Sequence, residues 1–186
     1  MSAGEPSIAI CLRHATPADA DAIAALIAES SRTLLRSFYT AAQIEAALGG
    51  TFGVDRSLIE DGTYWVAAEV GGRIAGCGGW GRRARVFGAS GTETAPPREL
   101  DPKREPARIR AFFIHPDCAR RGLGGQILAR CEEEARAHGF RAATLMATLG
   151  GVEFYRRAGY AKEEPVRHDM GNDLLIDFVR MGKSLV

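Results

Sequence analysis

One run of residues constrains this chain more than any other: Ile114-His115-Pro116-Asp117-Cys118-Ala119-Arg120-Arg121-Gly122-Leu123-Gly124-Gly125-Gln126-Ile127-Leu128. Before it, Arg108 to Ile114 (RIRAFFI) reads as a strand, closed by His115-Pro116 because proline cannot continue a ladder. After it, Leu123, Ile127, Leu128, Cys131 and Ala135 recur on one helical face, predicting a helix from Gly122 to His138 that stops at Gly139. A strand, a glycine-rich turn and a helix start leave main-chain N–H groups free at the positive end of the helix dipole. Gly122 and Gly124 let an anion approach the backbone closely, and Arg120 and Arg121 add charge beside it. These residues predict a phosphate site, the alternative being a turn that only caps the helix. No G-K-[ST] closes the run as in a P-loop, and the glycines stand too far from the strand for a dinucleotide fingerprint.

The rest of the chain supplies more strands and helices around this unit. Ile8 to Arg13 reads as a strand. Thr16-Pro17-Ala18-Asp19 then carries a capping signal for a first helix whose apolar positions are Ile23, Leu26, Ile27, Leu34 and Leu35. Thr40-Ala41-Ala42-Gln43 starts a second helix that ends at Gly49-Gly50. Thr63–Val70 and Arg73–Trp80 read as a hairpin about Gly71-Gly72. Further on come a strand at Arg141–Ala147, a short helix at Gly150–Ala158 and a closing strand at Leu174–Met181. The pattern is weak from Lys162 to Asp173, where Pro165 interrupts it. This order predicts an α/β layer on a mixed sheet, in one domain spanning 1–186. Residues 81–106 lack any period and read as a long loop with Arg82, Arg83, Arg85, Arg98, Lys103 and Arg104. It is either a solvated excursion or a wall of a substrate site.

A second run, Phe154-Tyr155-Arg156-Arg157-Ala158-Gly159-Tyr160, follows about thirty residues later. Taken alone, Tyr155 reads as a core aromatic at a helix–strand corner. In their order and spacing, the two runs together resemble the GNAT superfamily of acyl-CoA N-acyltransferases. The resemblance implies a mixed, splayed central sheet with helices on both faces and a pantetheine arm lying in the gap. It also implies acetyl transfer from acetyl-CoA to a primary amine of a small molecule or protein by direct attack. The alternative is a CoA-binding regulatory module without catalysis. Carried over residue by residue, the backbone of Phe112, Phe113 and Ile114 would pair with the acyl and pantetheine amides. The segment Arg120, Arg121, Gly122, Leu123, Gly124, Gly125 and Gln126 would hold the pyrophosphate. Tyr155 would also meet the cofactor and protonate the departing thiolate, and the Phe112 N–H would face the oxyanion. The family often has Gln or Arg where Ala119 stands, so the holding falls to the main chain. It often has Asn in the turn where Thr148 and Gly150 stand.

The base is less legible. Glu69, near a strand end, is the candidate, with Glu29 and His115 behind it; Trp65, Trp80 and Tyr39 are candidate walls of an acceptor pocket. Cys118 precedes the cationic helix start, a setting that lowers a thiol pKa, but no triad accompanies it and no covalent route is expected. Cys11 and Cys77 sit in apolar runs and read as buried reduced thiols, which suits a cytoplasmic location. No Cys/His set has metal-ligand spacing. A formal net charge of +1 argues against nucleic acid as a partner. No apolar run reaches the length needed to span a membrane, and MSAGEPSIAI does not read as a signal peptide. Open sheet edges make a homodimer plausible.

Overall fold

Local chemistry sets the first helices. The Thr16 N–H donates to the Asp19 carboxylate at 2.7 Å, and the Arg13 guanidinium grips the same carboxylate at 2.7 and 2.8 Å. That pair holds the Asp19 carboxyl well below its usual range. Pro17 opens a tight 3-10 turn, so α1 (Ala20–Leu34) begins three residues after it. At α2 (Ala41–Leu48) the Thr40 N–H donates to Gln43 Oε1 at 2.8 Å, and the Gln43 N–H returns a bond to Thr40 Oγ1 at 3.2 Å.

The computed structural model describes residues 9–85, 97–171 and 173–186. The remaining elements are α3 (Arg56–Glu60), β2 (Tyr64–Glu69), β3 (Ile74–Gly81), β4 (Ala107–Ile114), α4 (Leu123–Ala137), β5 (Ala142–Thr148), α5 (Val152–Arg157), β6 (Ala161–Asp169) and β7 (Leu175–Ser184), with β1 at Ile10–His14. They form one mixed sheet ordered β1-β2-β3-β4-β5-β7-β6, in which β4–β5 alone of the described strand pairs is parallel. The expected α/β architecture with helices on both faces is the observed one. The stripe Leu123, Ile127, Leu128, Cys131 and Ala135 is buried in a core on the α4 face. Helices α1 to α3 bury Ile23, Leu26, Ile27, Ile44 and Leu58 in a second core on the other face.

Several expectations need correction. Cys11 is exposed, because β1 is an edge strand, with a neighbour on one side only among the described residues. Residues 161–169 form a full strand despite Pro165, because β6 is also an edge, where a missing donor costs no ladder bond. The short α3, capped by Asp55 Oδ1 on the Leu58 N–H at 3.2 Å, has no clear signal in the sequence. Of the expected loop 81–106, residues 86–96 lie outside the described residues, as does Ile8 of the first strand. The described ends of that loop are pinned to the domain. Arg83 clasps Asp61 at 3.0 Å, the Leu100 N–H reaches Arg82 O at 2.7 Å, and Leu100 is buried.

The sheet is open at one place. β4 and β5 pair only from Ala107–Ile109 to Ala143–Leu145, while β5 stays paired with β7 as far as Thr148. Beyond Ile109 the two strands part. On its other side β4 carries a bulge: Cys77 faces Phe113 and Gly79 faces Arg110, leaving Ala111 and Phe112 opposite Gly78. Ala111 takes φ 58 to make it. A Cβ on Gly78 would stand 2.6 Å from the Phe112 ring, so only glycine lets the bulge lie this close.

Candidate active site

A groove of about 750 Å³ runs through the gap between β4 and β5. It touches residues of both cores and so passes from one face of the sheet to the other. Its α4-side wall includes Ile114, Leu123, Gly124, Phe154 and Tyr155; its α1-side wall includes Leu34, Phe38, Phe52 and Phe178.

At the α4 end the main chain supplies the chemistry. Arg120 and Gly122 both take positive φ, 61 and 79, before the helix begins. The first intrahelical bond of α4 runs from the Gln126 N–H to Gly122 O at 3.1 Å, so the N–H groups of 122–125 precede it, and no side chain among the described residues caps the start. Arg120, Gly122, Leu123, Gly124 and Gly125 border the groove, while Arg121 and Gln126 are exposed beside it. Ala119 gives its N–H to Pro116 O at 3.1 Å. A Cβ on Gly124 would stand 3.3 Å from the Phe154 ring, which shows how closely α4 and α5 approach. Unspent N–H groups, two arginines and a helix dipole fit a pyrophosphate.

The splayed half of β4 presents Phe112, Phe113 and Ile114 to the same groove. The Tyr64 hydroxyl, fully buried, donates to the Ala111 carbonyl at 3.2 Å. A trans peptide points its C=O and N–H in opposite directions. The Phe112 N–H is therefore turned away from Tyr64, to the side on which β5 has withdrawn.

Tyr155 is buried against Phe112, Phe154 and Tyr160, with ring centroids 6.2, 4.8 and 5.7 Å away, and borders the groove. Burial pushes its phenol pKa up, with Cys131 adding to the rise, so the hydroxyl stays protonated.

Glu69 is not brought to this place. It ends β2 beside Arg73, whose Nε donates to Glu69 Oε2 at 2.9 Å, and this partner holds its carboxyl below the usual range. Glu29 is exposed on α1, with Thr33 Oγ1 at 3.4 Å, and His115 Nδ1 accepts from the Asp117 N–H at 3.2 Å. Cys118 borders the groove, but burial raises its thiol pKa, against the lowering expected from the cationic turn. Trp65 and Trp80 donate to Glu134 Oε2 at 3.1 and 2.8 Å on the α4 side, away from the groove. Tyr39 bridges the Asp177 carbonyl and the Leu149 N–H, each at 2.8 Å.

A family model described as Acetyltransferase (GNAT) family matches residues 28–160. The chain belongs to this family. An uncharacterized N-acetyltransferase of Methanocaldococcus jannaschii is 35% identical over 68 residues; the match covers 35% of this chain and 30% of that relative, less than a third of its length. A GCN5-related N-acetyltransferase structure from Rhodopseudomonas palustris superposes with a TM-score of 0.70 at 22% identity, covering 97% of this chain and 99% of that one. The PaiA N-acetyltransferase from Thermoplasma acidophilum, solved in complex with coenzyme A, gives 0.65 at 15% identity over 95% and 99% of the two chains. At these identities the likeness speaks for the fold.

The splayed sheet expected of a GNAT chain is thus present, and Tyr155, the β4 backbone and the α4 start converge on one groove. Sequence reasoning missed its far wall. Leu34, expected in the buried stripe of α1, is 38% exposed on the rim, and Phe38 is 48% exposed. The Phe38 ring covers Gly150, within 3.0 Å of where a Cβ would stand, in the turn that often carries Asn in the family. Apolar residues running past the last helical turn of α1 were the available signal.

Proposed function

We propose that this chain is an acetyl-CoA-dependent N-acetyltransferase that acts on a primary amine of a small molecule or protein by direct attack. The observation that carries this reading is the groove that crosses the sheet, with uncapped N–H groups at one end and Tyr155 along its length. Acetyl-CoA supplies the thioester. The N–H groups of 122–125 hold its pyrophosphate, since that of Gln126 is spent on Gly122 O, Arg120 and Arg121 add charge, and the backbone of Phe112 to Ile114 aligns the pantetheine arm. The amine nitrogen attacks the thioester carbon from the α1 face, the end that the cofactor leaves open. The Phe112 N–H donates to the oxyanion. As the C–S bond breaks, Tyr155 gives its proton to the departing sulfur. Glu69, paired with Arg73 outside the groove, is a poor base, and the proton lost by the amine goes to water in the groove.

The test is release of free thiol from acetyl-CoA across a panel of primary amines. Tight CoA binding with no turnover on any amine would favour the regulatory-module reading instead. No helix among the described residues is long and apolar enough to cross a membrane. The cysteines at 11, 77, 118 and 131 are free thiols, which supports placing the protein in the reducing cytoplasm. The edges at β1 and β6 support a homodimer, which sedimentation would test.

A further inference from the structure

A second cavity, of about 370 Å³, opens beside the transfer groove and shares Ile109 and Met146 with it. Strand register fixes which way its polar side chains point. Arg108 pairs with Thr144 and Met146 with Arg180, and Thr144 and Met146 alternate with Leu145 along β5. Paired residues and alternate residues share a face of a sheet. Met146 packs into the core on the α1 side, so Arg108, Thr144 and Arg180 lie on the face from which an amine approaches.

The charges here are poorly matched. Arg108 is half-buried, and its Nε is closed off from solvent with no hydrogen-bond partner among the described residues. Burial lowers its pKa, and the cations Arg180 and Arg98 lower it further, against the opposing pull of Glu105. Glu105 is itself taken up by Arg98, at 2.6 and 2.8 Å. Arg180 meets Glu164 at 3.1 Å in an exposed pair, of the kind that yields readily to another anion. Thr144 spends its hydroxyl hydrogen on Met181 O at 2.9 Å. Two guanidinium groups bordering one cavity, one with an unused buried donor, match the planar fork geometry of a carboxylate or phosphate.

We infer that the acceptor is a primary amine carrying a carboxylate or phosphate several bonds from its nitrogen, and that Arg108 and Arg180 hold that anion. The inference rests on the acetyl-transfer reading above. The separation follows from position: at about 3.3 Å per residue, Arg108 lies roughly 10 Å along β4 from the bulge where the amine must react. The anion would anchor the acceptor, and Ile109 and Met146, which border both cavities, would flank its carbon chain.

Matched amine pairs long enough to span that separation test this: 6-aminohexanoate against hexylamine, and 4-aminobutyl phosphate against 4-aminobutanol, each assayed for kcat/KM. The anionic member of at least one pair is expected to be favoured tenfold or more, and the two pairs tell carboxylate from phosphate. Arg108→Ala and Arg180→Ala should each abolish most of that preference and leave the KM for acetyl-CoA unchanged. Arg180 is exposed, so its variant keeps the test open should Arg108→Ala fold poorly. Calorimetric titration of the full chain with 6-aminohexanoate and with inorganic phosphate gives a readout independent of turnover. Preference for the neutral amines, or binding indifferent to both substitutions, overturns the inference while acetyl transfer stands. Arginine-dependent binding with no acetylation of any amine overturns the transfer reading and leaves the anion site.

Discussion

The two ends of the transfer groove are built from different materials. At the α4 end, one contiguous stretch offers main-chain N–H groups in a conformation set by Arg120 and Gly122 at positive φ. At the α1 end, side chains from the end of α1, the segment 51–53, β5 and β7 come together only in the folded chain. The first end should tolerate changes of side chain and resist changes of backbone. The second should do the reverse. Tyr155, which touches Phe112 of β4 and borders the groove between the two ends, belongs to neither material and should act on turnover alone.

The largest effect is therefore expected in the middle. General acid catalysis contributes about 10²–10⁴-fold, so Tyr155→Phe should lower kcat about a hundredfold, with the KM for acetyl-CoA within twofold. Because burial raises the Tyr155 pKa, its protonated form persists above the ordinary phenol range. The sign follows: kcat in the native enzyme should not fall through loss of this proton up to about pH 10. A kcat within threefold of the native value in the variant would remove Tyr155 from the chemistry.

Backbone disruption at the α4 end comes next. A branched residue in the left-handed region costs about 1–2 kcal/mol, so Gly122→Val should raise the KM for acetyl-CoA about tenfold. Arg121→Ala, a change of side chain only, should raise it much less, and more at low than at high salt. If the two variants were equally weak binders, the main-chain account of this end would fail.

This contrast in material also explains what could be read in the sequence. The strand, turn and helix at Ile109–His138 were legible because proline, glycine and the apolar stripe signal within a few residues of where they act. The bulge was not: Ala111 leaves the ladder because Phe112 fits over Gly78 on another strand. Leu34 carried the right spacing for a buried stripe, yet α1 ends there and its side chain meets the groove instead of the core. Pro165 hid a strand because nothing local marks β6 as an edge. Arg108 and Arg180 are far apart in sequence and meet only through the order β4-β5-β7.

The side-chain end is sharpened by a smaller effect. Phe38 is half-exposed on the rim, with its ring over Gly150. Removing a half-buried aromatic costs on the order of 1 kcal/mol, so Phe38→Ala should raise the amine KM about three- to fivefold. The KM for acetyl-CoA should stay put, and a shift in that constant instead would move Phe38 to the cofactor's wall.

The smallest effect is expected at Glu69, which looked in sequence like a base and in structure belongs to neither end. Arg73 holds its carboxyl below the usual range, and a carboxylate so stabilised is a weaker proton acceptor than a free one. It also stands outside the walls of the groove, with Cys118 Sγ 3.8 Å from Oε1 on its inner side. Glu69→Gln should thus leave kcat within twofold and the pH profile unmoved, since Arg73 can still donate to the amide oxygen. A tenfold loss of kcat together with disappearance of the acidic limb would return Glu69 to the proton path. It would also mean that the two ends of the groove share a third component, reached through Cys118 and a chain of water.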